Sequence, residues 1–171
     1  MTMDIDRELG WLDRVREDIL EPEVPIVDPH HHFWDKSTTA WYRSKRYLLH
    51  ELLTDTNSGH NIRATVYIEC RSMWRNDGPE PMRPVGETEF VNGLAAMSAS
   101  GLYGETRAAA GIVGFADLML GSDVRPVLEA HIRAGGGRFR GIRHSASWDA
   151  SDLIRNGQSN PVQHIYRDER F

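Results

Sequence analysis

A parallel α/β fold is what this sequence of 171 residues predicts, and three observations predict it. Short apolar runs recur along the chain, a helical or loop-rich stretch follows each, and polar or ionisable residues stand at or near their ends. Strands alternating with helices at intervals of roughly 30 to 45 residues build right-handed βα units on a parallel sheet. In such sheets chemistry collects at the carboxyl ends of the strands, where loops vary without disturbing the core.

Trp11, Leu12, Val15 and Ile19 recur at helical spacing and predict a lead-in helix over residues 9–20. Pro22 and Pro25 break it, so residues 1–23 are expected to be a lead-in helix and linker, and residues 24–171 the domain proper. A first strand over 24–27 runs into Asp28 and the histidines His30, His31 and His32. A second over 64–68 runs into Glu69, Cys70 and Arg71; a third over 109–113 reaches Asp117 after Gly114, Phe115 and Ala116. The fourth, over 139–142, ends on Arg143 and His144. Between them the sequence predicts a short helix over 47–53 and a longer one over 87–100 with Phe90, Leu94 and Met97 on one face. A third helix, over 124–134, has Val127, Leu128 and Ile132 as its apolar face and Asp123 placed to cap its start. Gly135, Gly136 and Gly137 then leave a helix and enter a strand. A phosphate-cradling loop runs in the opposite order, so these glycines are read as a turn.

Composition narrows the function classes. A net charge of -5 with no basic stripe argues against a nucleic-acid binder. No apolar run approaches the roughly 18 residues of a membrane span, and the first twenty residues lack the apolar core of an export signal. Cys70 is the single cysteine, so no intrachain disulfide forms, and a cytoplasmic protein is expected.

The histidine cluster carries the chemistry. On an extended strand, side chains two residues apart point the same way, so His30 and His32 project together and His31 faces the other side. Two imidazoles at a strand end can hold one divalent ion, commonly zinc, and leave positions for further ligands and water. Asp28 falls on the same face and is placed to orient a histidine from behind. The same residues are equally compatible with ordinary hydrogen-bonded histidines, because two ligands do not make a site.

The segment Asp28-Pro29-His30-His31-His32-Phe33-Trp34-Asp35 resembles the first-strand motif of the amidohydrolase-2 branch of the amidohydrolase superfamily. The similarity continues through Ser58-Gly59-His60-Asn61, Tyr67-Ile68-Glu69-Cys70, Val85-Gly86-Glu87-Thr88-Glu89-Phe90, the run from Ala110 to Leu118, and Gly137-Arg138-Phe139-Arg140-Gly141-Ile142-Arg143-His144. The resemblance implies a (β/α)₈ TIM barrel, of which this chain supplies about the first four βα units; a closed barrel has eight strands and about 250 residues. It implies that His30 and His32 line the catalytic centre and hold a divalent metal, zinc or manganese, or none if the chain is lactonase-like. The implied reaction is water attack on a lactone, ester or amide carbonyl of a small carboxylated or sugar-like substrate. Non-oxidative decarboxylation occurs on the same scaffold and is the alternative. The remaining histidines and the general-base aspartate are implied to come from later strands, so the chain is expected to be a truncated half-barrel. Such a piece is expected to be poorly soluble and inactive alone, or completed by a partner, including as a homo-oligomer.

Four other strand-end residues are candidates. Glu69 and Arg71 are placed to contact substrate, Arg143 suits a carboxylate in bidentate fashion, and His144 is placed to polarise a carbonyl as a catalytic group. Trp34 is the expected aromatic wall of the substrate pocket, with Trp41, Trp74 and Trp148 in loops near the same mouth. Asp117 either binds substrate or caps the following helix. Glu87 and Glu89 are read as helix-start acids favoured by the dipole, Cys70 as a small buried residue, and His50, His60, His131 and His164 as ordinary. Residues 166–171 are expected to begin a last helix.

Overall fold

A computed structural model describes residues 17–35, 46–154, 156 and 160–171. Strand β1 (Pro25–His31) is followed by helix α1 (Leu49–Thr56), β2 (Asn61–Ile68), α2 (Val85–Ala99), β3 (Arg107–Gly114), α3 (Arg125–Ala134) and β4 (Phe139–Ile142). The four strands form one parallel sheet in the order β1-β2-β3-β4. The alternating βα pattern is therefore present as expected. No helix among the described residues is long and apolar enough to cross a membrane.

The periodicity of the strands decides what packs. On β2, Thr65 and Tyr67 are fully buried while Ala64, Val66 and Ile68 between them are half-buried. Tyr67 stacks on Phe33 with ring centroids 5.7 Å apart, and both join Leu49, Leu52, Val91, Ala95, Ala108 and Ile112 in the core. Each buried Phe, Leu, Ile or Val of this core stabilises the fold by roughly 1.5–3 kcal/mol. Helix α1 starts where Glu51 reaches back to accept the Leu48 N–H at 2.9 Å, half of a capping box. His131, expected to be ordinary, is not: burial lowers its pKa. It is fully buried on α3, accepts the Thr88 hydroxyl at Nδ1 and donates from Nε2 to the Phe115 carbonyl, each at 2.8 Å, tying α2 and α3 to the end of β3.

Two glycines have clear physical roles. A Cβ on Gly86 would stand 2.7 Å from the Met73 carbonyl oxygen, so only glycine lets α2 begin against the loop after β2. Gly86→Ala is expected to cost about 1–3 kcal/mol through overpacking, read as a lowered urea midpoint; an unchanged midpoint would mean the helix start yields. Gly136, at φ 54°, turns the chain from α3 into β4, in agreement with the turn reading of the triplet.

The structure corrects several expected boundaries. The lead-in helix lies mostly outside the described residues, and residues 17–20 are not helical. Asp123 does not cap α3: Val124 holds that position without a side-chain bond, because the turn Leu118–Val124 precedes the helix directly. Asp117 caps that turn instead, accepting the Met119 N–H at 2.9 Å. The last expected helix is a single turn, Ile165–Arg167. It stops at Asp168, whose extended backbone and Arg170-bonded carboxylate favour a tight turn over continuation.

Candidate active site

The carboxyl ends of the strands bring His30, His32, Glu69 and Arg143 to one end of the sheet. The His30 and His32 rings stand nearly perpendicular, with Nε2 atoms 3.3 Å apart. His32 Nδ1 lies 2.8 Å from the Ile68 carbonyl, which can only accept, so Nδ1 carries the proton and Nε2 the lone pair. That arrangement orients an imidazole for a metal, since ligating histidines usually give their other N–H to a carbonyl or carboxylate. Burial also lowers the His32 pKa, with the charges of His30 and Arg143 adding to the effect, and keeps the ring neutral. Two nitrogens at about 2.05 Å from a tetrahedral ion stand roughly 3.3 Å apart. The pair therefore fits two positions of such an ion. Among the described residues no group of three or more His, Cys, Asp or Glu converges as a ligand set.

His31 projects to the other face, as the alternation requires, and packs edge-on against Phe33 and Tyr67. Among the described residues neither of its ring nitrogens has a hydrogen-bond partner, and burial lowers its pKa to about 4. Asp28 behaves differently from expectation. Its Oδ1 accepts the backbone N–H of His30 at 2.9 Å and does not orient an imidazole. A register shift between Asp28 and His31 breaks the strict alternation there. The three histidines, Asp28, Trp34 and Tyr47 line a cavity of about 410 Å³.

Glu69 and Arg143 meet across β3. Arg143 Nε donates to Glu69 Oε1 at 2.8 Å and its NH2 group to the Glu69 carbonyl at 2.6 Å. The Glu69 side chain is 3% exposed and the Arg143 side chain 37%. Desolvation raises the Glu69 pKa despite the guanidinium that pulls it down.

Arg71 and His144 go elsewhere. They line a second cavity of about 470 Å³ with Trp74, Phe115, Asp117 and Ile165. Arg71 lies over the Trp74 ring at 5.2 Å. His144 Nδ1 accepts the Leu118 N–H, so its proton sits on Nε2. The four loop tryptophans thus divide: Trp34 lies against His32, Trp74 lines the second cavity, Trp148 is in an exposed loop, and Trp41 lies outside the described residues.

Sequence reasoning missed Glu87. It stands in the first turn of α2, as expected, but is fully buried. Its Oε1 accepts from the Tyr67 hydroxyl at 2.7 Å, the Cys70 N–H at 2.8 Å and the Ser72 N–H at 3.1 Å, and its Oε2 from Trp74 Nε1 at 3.0 Å. This carboxylate holds the loop that carries Glu69, Arg71 and Trp74, in which Arg71 and Met73 adopt positive φ. Glu87 stands four residues before the buried Val91, on the same helix stripe, and that spacing was the available signal. Glu89, by contrast, pairs with Arg75 at the surface. Burial pushes the Cys70 thiol up to about 12, which suits a packing residue and not a nucleophile.

Compared with known proteins, the chain is 29% identical over 142 residues to the uncharacterized protein y4mH of Sinorhizobium fredii (strain NBRC 101917 / NGR234). That similarity covers 74% of this chain and 41% of the relative, so the chain spans less than half the length of the curated relative it matches. No family model matches the chain. No solved structure matches it either.

Proposed function

We propose that this chain carries part of the active site of an amidohydrolase-2-type hydrolase, on the first four units of a (β/α)₈ barrel. The observation that carries the reading is the His30–His32 pair at the end of β1, with Nε2 atoms 3.3 Å apart and His32 locked by the Ile68 carbonyl. The proposed substrate is a small carboxylated or sugar-like lactone, ester or amide. A divalent cation held by His30 and His32 would acidify water and polarise the carbonyl. His32 keeps its lone pair directed at the site because Nδ1–H is committed to Ile68. Arg143, braced by Glu69, presents the rest of its guanidinium to a substrate carboxylate. Trp34 supplies an apolar wall beside His32. Arg71 and His144 would contact substrate from the neighbouring cavity, away from the histidine pair.

The test is hydrolysis of a panel of lactones, esters and amides by the purified chain and by a longer form, before and after chelation, beside His30→Ala and His32→Ala. Each substitution is expected to weaken zinc binding and hydrolysis by 10-fold or more. A double variant that hydrolyses at the unsubstituted rate would overturn the proposal. Release of CO₂ from aromatic acids without hydrolysis would move the chain to the decarboxylase reading.

A further inference from the structure

We propose that the cavity shared by Arg71 and His144 is a binding site for a single carboxylate carried on a compact aromatic body. The inference rests on the reading above only in taking this cavity as part of the functional site. Binding of the acid needs neither a metal nor the histidine pair.

The loop after β2 is built to place one side chain. Arg71 adopts φ 63°, a left-handed conformation that is costly for a residue with a side chain. Glu87 holds it there from both sides. One oxygen of that buried carboxylate accepts the N–H of Cys70 and the N–H of Ser72, the residues before and after Arg71. The other accepts the Nε1–H of Trp74, the ring under the Arg71 guanidinium. A single carboxylate therefore sets both the backbone that carries the arginine and the platform on which it lies. Stacking uses the face of a guanidinium and leaves its edge N–H groups for an in-plane partner, the geometry that a carboxylate matches.

His144 supplies a second donor to the same cavity. Its Nδ1 takes the Leu118 N–H, so the proton it offers to a ligand is on Nε2. Burial lowers its pKa, against the charge of Asp117 and with that of Arg71, and keeps the ring a neutral donor.

The lining selects the rest of the ligand. The cavity holds about 470 Å³, a size usual for a small-molecule pocket. Trp74, Phe115 and His144 stand in a row of rings, with successive centroids 5.4 and 5.3 Å apart. Pro84, Met119 and Leu120 add apolar surface. A sugar-like body would leave hydroxyls unpaired against such walls, whereas an aromatic ring fits them. Glu80 and Asp117 also line the cavity and repel a second negative charge, so the ligand carries one acid group.

Isothermal titration calorimetry of the chelator-treated full chain is expected to show benzoate binding with a Kd below about 1 mM. Benzamide lacks the charge and phthalate adds a second carboxylate, and each is expected to bind roughly 10-fold more weakly or worse. Arg71→Gly separates placement from folding, because glycine accepts positive φ without strain. Its urea midpoint is expected to hold while benzoate binding falls by roughly 10-fold or more. Absent benzoate binding, or benzamide or phthalate binding as tightly as benzoate, overturns the proposal. Unchanged binding by Arg71→Gly overturns it too, as does a lowered midpoint, which would make the arginine a structural residue. A chain that binds benzoate but hydrolyses nothing in the panel keeps this inference and loses the hydrolase reading. Hydrolysis without benzoate binding overturns this inference alone.

Discussion

Glu87→Ala is expected to lower the stability of this protein by about 3–5 kcal/mol. The carboxylate is fully buried and accepts four donors, two of them the backbone N–H groups of the buried residues Cys70 and Ser72. Truncation leaves those groups without acceptors in a site that water does not reach, at about 1–3 kcal/mol for each group left unsatisfied. Glu87→Gln separates hydrogen bonding from charge. Its amide oxygen can keep the three donors now at Oε1, but its NH₂ group faces the Trp74 indole N–H, donor against donor. The glutamine variant is therefore expected to lose less, about 1–2 kcal/mol. Urea unfolding followed by tryptophan fluorescence orders the three proteins, and an alanine variant within 1 kcal/mol of the unsubstituted chain would sink the argument. The effect reaches the site because the loop held by Glu87 carries Glu69, Arg71 and Trp74.

Arg143→Ala is expected to cost about 3 kcal/mol at pH 8 and clearly less at pH 5. It leaves the Glu69 carboxylate, 3% exposed, without its cation. The figure stands at the low end for a broken buried pair because the Arg143 side chain is 37% exposed and partly screened by water. The sign follows from Glu69, whose folded-state pKa is raised by desolvation. An acid with a raised pKa binds more protons in the folded state, so its contribution is most favourable below the unfolded value. That contribution is lost as pH rises through the folded value. Removing Arg143 takes away the charge that lowers this pKa and extends the window upward, so the variant should recover as Glu69 protonates. Denaturant titrations of both proteins at pH 5 and pH 8 measure it. Equal losses at the two pH values would show that Glu69 stays ionised without its partner. Adding Glu69→Gln to Arg143→Ala should restore part of the loss, since the pair is coupled.

The local features were legible because their causes are local. Period-two alternation placed His30 and His32 on one face and His31 on the other, since successive strand residues must face opposite ways. The four strands and three helices follow the apolar runs, with ends shifted by a few residues where capping differed from expectation. Asp123 and the last helix show the limit. The sequence offered a capping acid and a helical run, but a preceding turn took the first and the Asp168–Arg170 contact ended the second.

The sequence by itself determined the order of βα units, the strand ends at which ionisable residues stand and the shared direction of His30 and His32. Only the tertiary structure decided who meets whom. It paired Arg143 with Glu69 across an intervening strand, sent the adjacent His144 to a separate cavity and made the helix-start acid Glu87 the buried anchor of a loop. The physical reason is range. Periodicity reports which way a side chain leaves its own element, whereas burial and pairing depend on elements tens of residues away that the twist of the sheet brings together.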